Sequence, residues 1–260
     1  MYYMSWANKR RLMYLLGFLG IIFIVVVFFL FSIQKPPTCF DGKQNQDESG
    51  VDCGGICSKV CTSEQTPLTI VWARTSKIQD GLYNAVAYIQ NSNLSAFATN
   101  VYYHFYLYDE EGVRIYERVN SSPISIPPRS AVAIFEPGMF TGKAVAARTI
   151  FDFDGNFVWY KSEEITNPLS VTDKQILNAS TTPKILATIN NSSLEPVYSV
   201  EAVAIVYDEV GTARQFSRTI LDEVPPQGSS LAPFTWPEPF DFFAARTEIV
   251  LKPSYDTTPN

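Results

Sequence analysis

Apolar and polar positions alternate in two different ways along this chain. From Leu12 to Ile33 there are 22 residues without a charge, and the stretch is apolar on every side. At about 1.5 Å rise per residue such a run reaches roughly 33 Å, enough to cross a hydrocarbon core of about 30 Å. Its β-branched centre, Ile21 to Val27, would make a mediocre helix in water. In lipid, however, every backbone polar group must be bonded within the segment, so the run predicts a transmembrane helix over 12–33. A buried core helix is disfavoured because the run has no polar face to show to solvent. From Pro67 onward the apolar residues come instead in short alternating runs, broken by Pro, Gly, Asn and Ser. That pattern predicts strands and turns, with no long helical stripe among them. In the run before the acidic turn, Val101, Tyr103, Phe105 and Leu107 share one face, and Tyr102, His104, Tyr106 and Tyr108 the other.

The strand-rich part repeats itself. Ile89-Gln90-Asn91-Ser92-Asn93-Leu94 matches Ile189-Asn190-Asn191-Ser192-Ser193-Leu194, an offset of 100 residues. Phe105 to Gly112 then lines up with Ala204 to Gly211, Ile126-Pro127-Pro128 with Val224-Pro225-Pro226, and Ala146-Ala147-Arg148-Thr149 with Ala244-Ala245-Arg246-Thr247. Four collinear matches predict a tandem duplication, and a period near 100 residues suits one immunoglobulin-like sandwich. The expected fold is therefore an all-β ectodomain of two tandem immunoglobulin-like β-sandwiches, over 66–165 and 170–256, behind one helix and a small disulfide-rich module at 36–63.

Charge gives the expected orientation. Lys9, Arg10 and Arg11 precede the apolar run and only Lys35 follows it, which leaves residues 1–11 as a cytoplasmic stub and sends residues 36–260 across. A cleaved signal peptide would have a shorter apolar stretch and small residues at its cleavage site, and Ser32 to Thr38 offer no such pair. Residues 36–260 carry 16 Lys plus Arg against 26 Asp plus Glu, a net charge of −10. So acidic a surface repels phosphate backbones, and nucleic acid is excluded as a partner.

All four cysteines lie in one short stretch: Cys39, Cys53, Cys57 and Cys61. Outside the cytoplasm an even set at this density predicts two disulfides, with three connectivities open. With few apolar side chains (Phe40, Val51, Ile56, Val60), the module needs covalent closure in place of a core. Zinc is the alternative, though the isolated Cys39 does not fit paired short knuckles. Asp41, Asn45, Asp47, Glu48 and Asp52 are candidate calcium ligands, since oxygen-rich loops with glycine turns suit a hard cation, but their spacing is not that of an EF-hand.

The run Cys39-Phe-Asp-Gly-Lys-Gln-Asn-Gln-Asp-Glu-Ser-Gly-Val-Asp-Cys-Gly-Gly-Ile-Cys57 resembles the C-x-D-G-x-x-N-x-x-E-x-G-x-D-C-G-G-x-C module of bacterial surface and secreted proteins. That resemblance implies an extracytoplasmic spacer or display element. Asn91-Ser92 through Phe105-Tyr106-Leu107-Tyr108-Asp109 to Ile126-Pro127-Pro128 resembles the FxLYD family of bacterial extracytoplasmic β-sandwiches. The second copy keeps only Tyr207-Asp208 of that motif. The resemblance implies an immunoglobulin-like fold, often behind an anchor, with no established catalytic residues.

Enzyme chemistry finds little material here. The single histidine, His104, has no evident nucleophile, and no phosphate loop, dinucleotide fingerprint, nucleophile elbow or zinc-protease motif occurs. The acids Asp109, Glu110, Glu111, Asp208 and Glu209 sit at equivalent positions of the two copies, which reads as a shared turn before it reads as a glycosidase pair. Phe234, Trp236 and Phe240, among prolines, are candidate binding aromatics, with core packing as the alternative. The expected role is non-catalytic: binding or scaffolding of an envelope protein or glycan, with no cofactor unless calcium is structural. A passive spacer is the alternative, and an envelope glycosidase the least favoured reading.

Overall fold

The computed structural model describes residues 6–33, 38–155, 157–162 and 167–252. The first five residues of the expected stub, the start of the cysteine module at 36–37, the end of the first expected unit and the last residues of the second lie outside that set. The apolar run forms α1 (Trp6–Ile33), which starts six residues before the charge-free stretch. Ala7, Lys9, Arg10 and Arg11 are good helix formers, so the basic segment continues the same helix, and the Arg10 guanidinium lies 4.1 Å over the Trp6 ring. The helix is long and apolar enough to cross a membrane, and none of its apolar window is buried against the rest of the chain.

The cysteine module is closed by two disulfides, Cys39–Cys57 and Cys53–Cys61. Its Gly55 has φ +53°, and any side chain there would land on the Asp47 carbonyl, which explains the Cys-Gly-Gly sequence. The module ends in a short strand, β1 (Lys59–Val60).

The first β unit comprises β2 (Thr69–Gln79), β3 (Leu82–Asn91), β4 (Ala96–Tyr108), β5 (Arg114–Val119), β6 (Ile124–Ile126), β7 (Ser130–Phe140), β8 (Arg148–Asp154) and β9 (Val158–Lys161). One sheet has the order β2-β3-β7; the other is built on the long strand β4, which pairs with β5, β6, β8 and β9. Their facing side chains make one core: Ala85, Ala87 and Ile89 from β3 meet Val101, Tyr103, Phe105 and Leu107 from β4. The expected alternation of β4 holds, with Tyr102, His104, Tyr106 and Tyr108 on the outer side. The module joins this unit, since β1 pairs antiparallel with β9 and places Val60 against Trp159 in the core.

The second unit comprises β10 (Leu169–Leu177), β11 (Lys184–Asn191), β12 (Val197–Tyr207), β13 (Ala213–Val224), β14 (Ser229–Thr235) and β15 (Arg246–Lys252). Its sheets run β10-β11-β14 and β13-β12-β15 around their own core of Ile185, Ala187, Ile189, Val200, Ala202, Ala204, Val206, Phe234 and neighbours. Strand order therefore corresponds between the two units, β2-β3-β7 with β10-β11-β14.

A third apolar core joins them. Val86, Ala133 and Phe135, on the outer face of β2-β3-β7, pack against Val203, Ile205, Tyr207, Phe216 and Val250, on the outer face of β13-β12-β15. Trp72 stacks on Tyr88 at 5.4 Å and on Phe216 at 5.9 Å across this seam. Four sheets are thus layered, and the two inner ones are covered on both sides. This is why β12 reads as an unbroken apolar run, with Ala202 to Val206 at most 1% exposed, instead of alternating.

Candidate functional site

Four of the five acidic-loop residues singled out for calcium, Asp41, Asn45, Glu48 and Asp52, hold the loop together. Asp52 accepts the Gly42 N–H at 3.1 and 3.0 Å from its two oxygens, and Glu48 Oε2 accepts the Asn45 N–H at 3.0 Å. Asp41 accepts the Asn45 amide at 2.9 Å and the Lys43 N–H at 3.0 Å. The Asn45 bond above all, with the backbone bond, holds the Asp41 carboxyl below its ordinary range. Asp47 is exposed and Glu48 is buried. Among the described residues the one group of three potential metal donors is Cys39, Glu48 and Cys57, with donor atoms within 4.8 Å of one another. Its two sulfurs are bonded to each other, so neither is a thiolate ligand, and four-cysteine zinc ligation does not apply to this oxidised form. Asn45 Oδ1 is left buried without a hydrogen-bond partner.

The aromatic candidates require a correction. Phe234 is fully buried and Trp236 is 6% exposed, both inside the second core, with Phe240 and Phe242 packed against them. Trp236 meets Phe240 edge-on at 5.2 Å, and Phe240 stacks on Phe242 at 5.3 Å. Phe234 takes the inward position of β14, and the aromatics after it fill that end of the core. They do not form an exposed binding surface. His104 stands on the outer face of β4, with Nδ1 3.3 Å from Glu117 and Nε2 3.4 Å from Asp154. The acidic turns repeat one geometry: Asp109 accepts the Val113 N–H and Asp208 the Thr212 N–H, each at 2.7 Å.

The chemistry that joins the units was not read from sequence. Glu248 on β15 accepts the Tyr88 hydroxyl at 2.7 Å, the Tyr207 hydroxyl at 2.9 Å and the Arg246 guanidinium at 3.1 Å. Burial alone would raise its pKa, but these three donors outweigh it and hold the carboxyl below its ordinary value. The same burial, with the bond to Glu248, pushes the Tyr207 phenol up to about 12. Within the first unit the Tyr103 hydroxyl donates to Glu136 at 2.8 Å, and across the seam Arg218 lies 5.2 Å over the Phe135 ring. Tyr88 and Glu248 lie 160 residues apart, too far for any local pattern to link them.

Beside this seam three edge strands leave a cleft of about 570 Å³. β2 lines it with Trp72, Arg74 and Thr75, β8 and its approach with Arg148 and Thr149, and the start of β13 with Thr212 and Arg214. The Thr149 hydroxyl donates to the Thr75 hydroxyl at 3.2 Å. Arg214 is shared between Asp208 at 3.5 Å and Asp241 at 3.9 Å. Neither Arg74 nor Arg148 has a carboxylate partner among the described residues, and Arg148 rests 5.0 Å over the Tyr108 ring. An arginine is thus supplied by each of three strands in a body that is acidic as a whole.

No protein-family model matches the chain, and no curated protein matches it. Solved structures give faint likenesses. A β-glucuronidase from glycoside hydrolase family 2 has a TM-score of 0.26 at 10% identity, over 69% of this chain and 23% of that one. Red sea bream transglutaminase has a TM-score of 0.22 at 12% identity, over 70% and 31%. A putative β-galactosidase from Bacteroides fragilis has a TM-score of 0.19 at 10% identity, over 69% and 33%. The chain spans a third or less of each, and similarity at this level carries no functional argument.

Proposed function

We propose that this protein is a single-pass, membrane-anchored binding protein of the cell envelope, with residues 36–260 outside the cytoplasm and two immunoglobulin-like sandwiches of FxLYD type derived by duplication. The reading rests most on one observation: the third core and the Tyr88–Glu248–Tyr207 bonds lock the two units into one body, with a cleft that neither unit forms alone. A composite surface on a preorganised body is what recognition needs, because little ordering entropy is then lost on binding. The apolar helix, the basic residues before it and the paired cysteines support the anchor, its orientation and an oxidising compartment.

The role is non-catalytic in this reading. Its support is that the single histidine is held between two carboxylates on an open strand face, and that the repeated acids serve their own turns. A spacer is the second reading, favoured by the docking of the stapled module onto the first unit through β1 and β9. The test is cross-linking of the full chain in native envelopes, followed by mass spectrometry of the adducts. One recurrent envelope component at the cleft supports binding; adducts spread evenly over the body turn the assignment to the spacer. Protease added to spheroplasts, stripped of their outer envelope, checks the orientation, and protection of residues 36–260 would reverse it.

A further inference from the structure

The repeated Ala-Ala-Arg-Thr segment is spent differently in the two units. In the second unit, Tyr207 and Arg246 are register partners, the guanidinium lies 3.7 Å over the ring, and Glu248 neutralises it. In the first unit, Tyr108 and Arg148 are register partners in the same way, with the guanidinium over the ring. The residue two further along, where the second unit has Glu248, is Ile150, 36% exposed. The same Tyr–Arg device therefore closes the seam in one unit and leaves an uncompensated cation beside the cleft in the other. Arg74, also without a carboxylate partner, lies on β2 in register with Val86, whose side chain belongs to the seam.

We propose that the cleft between the units binds an anionic glycan, with Arg74 and Arg148 pairing to carboxylate or sulfate groups on its sugar rings. The hydroxyls of Thr75 on β2, Thr149 on β8 and Thr212 just before β13 supply donors and acceptors for ring hydroxyls. Guanidinium forks match planar and tetrahedral oxyanions bidentately. A peptide is disfavoured because the cleft's apolar lining is Trp72 with the three small residues Ala73, Ala147 and Ala213, which gives no pocket for an anchoring side chain. The volume lies within the roughly 300–1,000 Å³ usual for ligand sites. Arg214 is held by Asp208 and Asp241, so it shapes the rim and adds little net charge.

This inference deepens the binding reading and rests on it. The experiment is calorimetric titration of the full chain in nanodiscs with oligogalacturonate, with a sulfated dextran oligosaccharide, with neutral maltohexaose and with a poly-glutamate peptide. Expected is binding of at least one charged saccharide at low salt, weakened several-fold between 50 and 300 mM NaCl, with no binding of maltohexaose. The two charged arms separate carboxylate from sulfate recognition. Arg74→Glu and Arg148→Glu should each reduce affinity at least tenfold, whereas Arg129→Glu, in the turn before β7 at the other end of the unit, should leave it within about twofold. Ile150→Glu, which copies the second unit's neutralising carboxylate, should reduce it three- to tenfold while the melting temperature stays put. Absence of binding to both charged saccharides, equal losses at Arg129, or preference for poly-glutamate would overturn the proposal. If the saccharides fail while cross-linking still recovers one recurrent component, the cleft assignment falls and the binding reading stands; if both fail, both fall.

Discussion

Asn91 and Asn191 explain at the residue scale why one short motif occurs twice. Each ends the strand that follows the first strand of its unit, and each is almost fully buried. The Asn91 amide donates to the carbonyls of Ala96, Ile126 and Pro127, and the Asn191 amide to those of Glu195 and Val224. Their side-chain oxygens accept the N–H two residues on, from Asn93 and Ser193. Each asparagine thus ties the end of one sheet to the segment before the Pro-Pro pair, and two of the four matched motifs prove to be one brace. Asn191→Ala would leave buried carbonyls unpaired, and a loss of about 2–3 kcal/mol is expected from urea unfolding. A loss below half a kcal/mol would show that water replaces the brace. Glu248 gives a pH prediction. Its pKa is lowered on folding from an ordinary 4.5, so its stabilisation is complete above that value and is lost as pH falls through the lower folded value. Melting temperatures recorded from pH 7 to pH 3 should fall below about pH 4.5, and Glu248→Gln should flatten part of that fall.

Elements were legible where one physical rule governed them. The charge-free run required a helix in lipid, and the period-two pattern of β4 put the buried face where the structure has it. The rule failed where a strand is covered twice. Val86 and Ile205 sit on faces that an isolated sandwich would leave wet, and the runs Ala85-Val86-Ala87 and Ala202 to Val206 are the signal of that second layer. The aromatic cluster was ambiguous for the same reason, since spacing alone does not say which face a phenylalanine takes. The strand β1 was invisible because two residues carry no period; its register comes from Trp159, about a hundred residues away. Disulfide pairing was likewise beyond spacing, as four cysteines allow three arrangements. Reduction should unfold the module, which lacks a core of its own, and release β1. Hydrogen exchange over Val158–Lys161 should then accelerate while β12 stays protected; unchanged protection would mean that β1 holds without its staples.

The layered packing of the whole molecule predicts one unfolding transition for the two units, because their inner sheets share a core and neither inner face is ready for water. Phe216, 1% exposed at the seam, is the side chain to remove. Phe216→Ala should cost about 3–5 kcal/mol and split the calorimetric transition into two. Two transitions already in the unsubstituted chain would mean that the seam is weaker than its burial suggests. The cleft lay beyond sequence reasoning because Arg74, Arg148 and Arg214 belong to three strands and two units, and only folding brings them to one place. The disulfide connectivity also decides how a pull on α1 travels. Tension arriving at Cys39 crosses directly to Cys57 through their bond and continues over a few residues to β1 and the first unit. The acidic excursion from Phe40 to Asp52 is short-circuited and bears no load, whereas Cys53 to Ile56 share it through the Cys53–Cys61 bond. Its length and sequence are free of mechanical demand, so this excursion is the part of the module that can be lengthened or replaced without changing how force reaches the body.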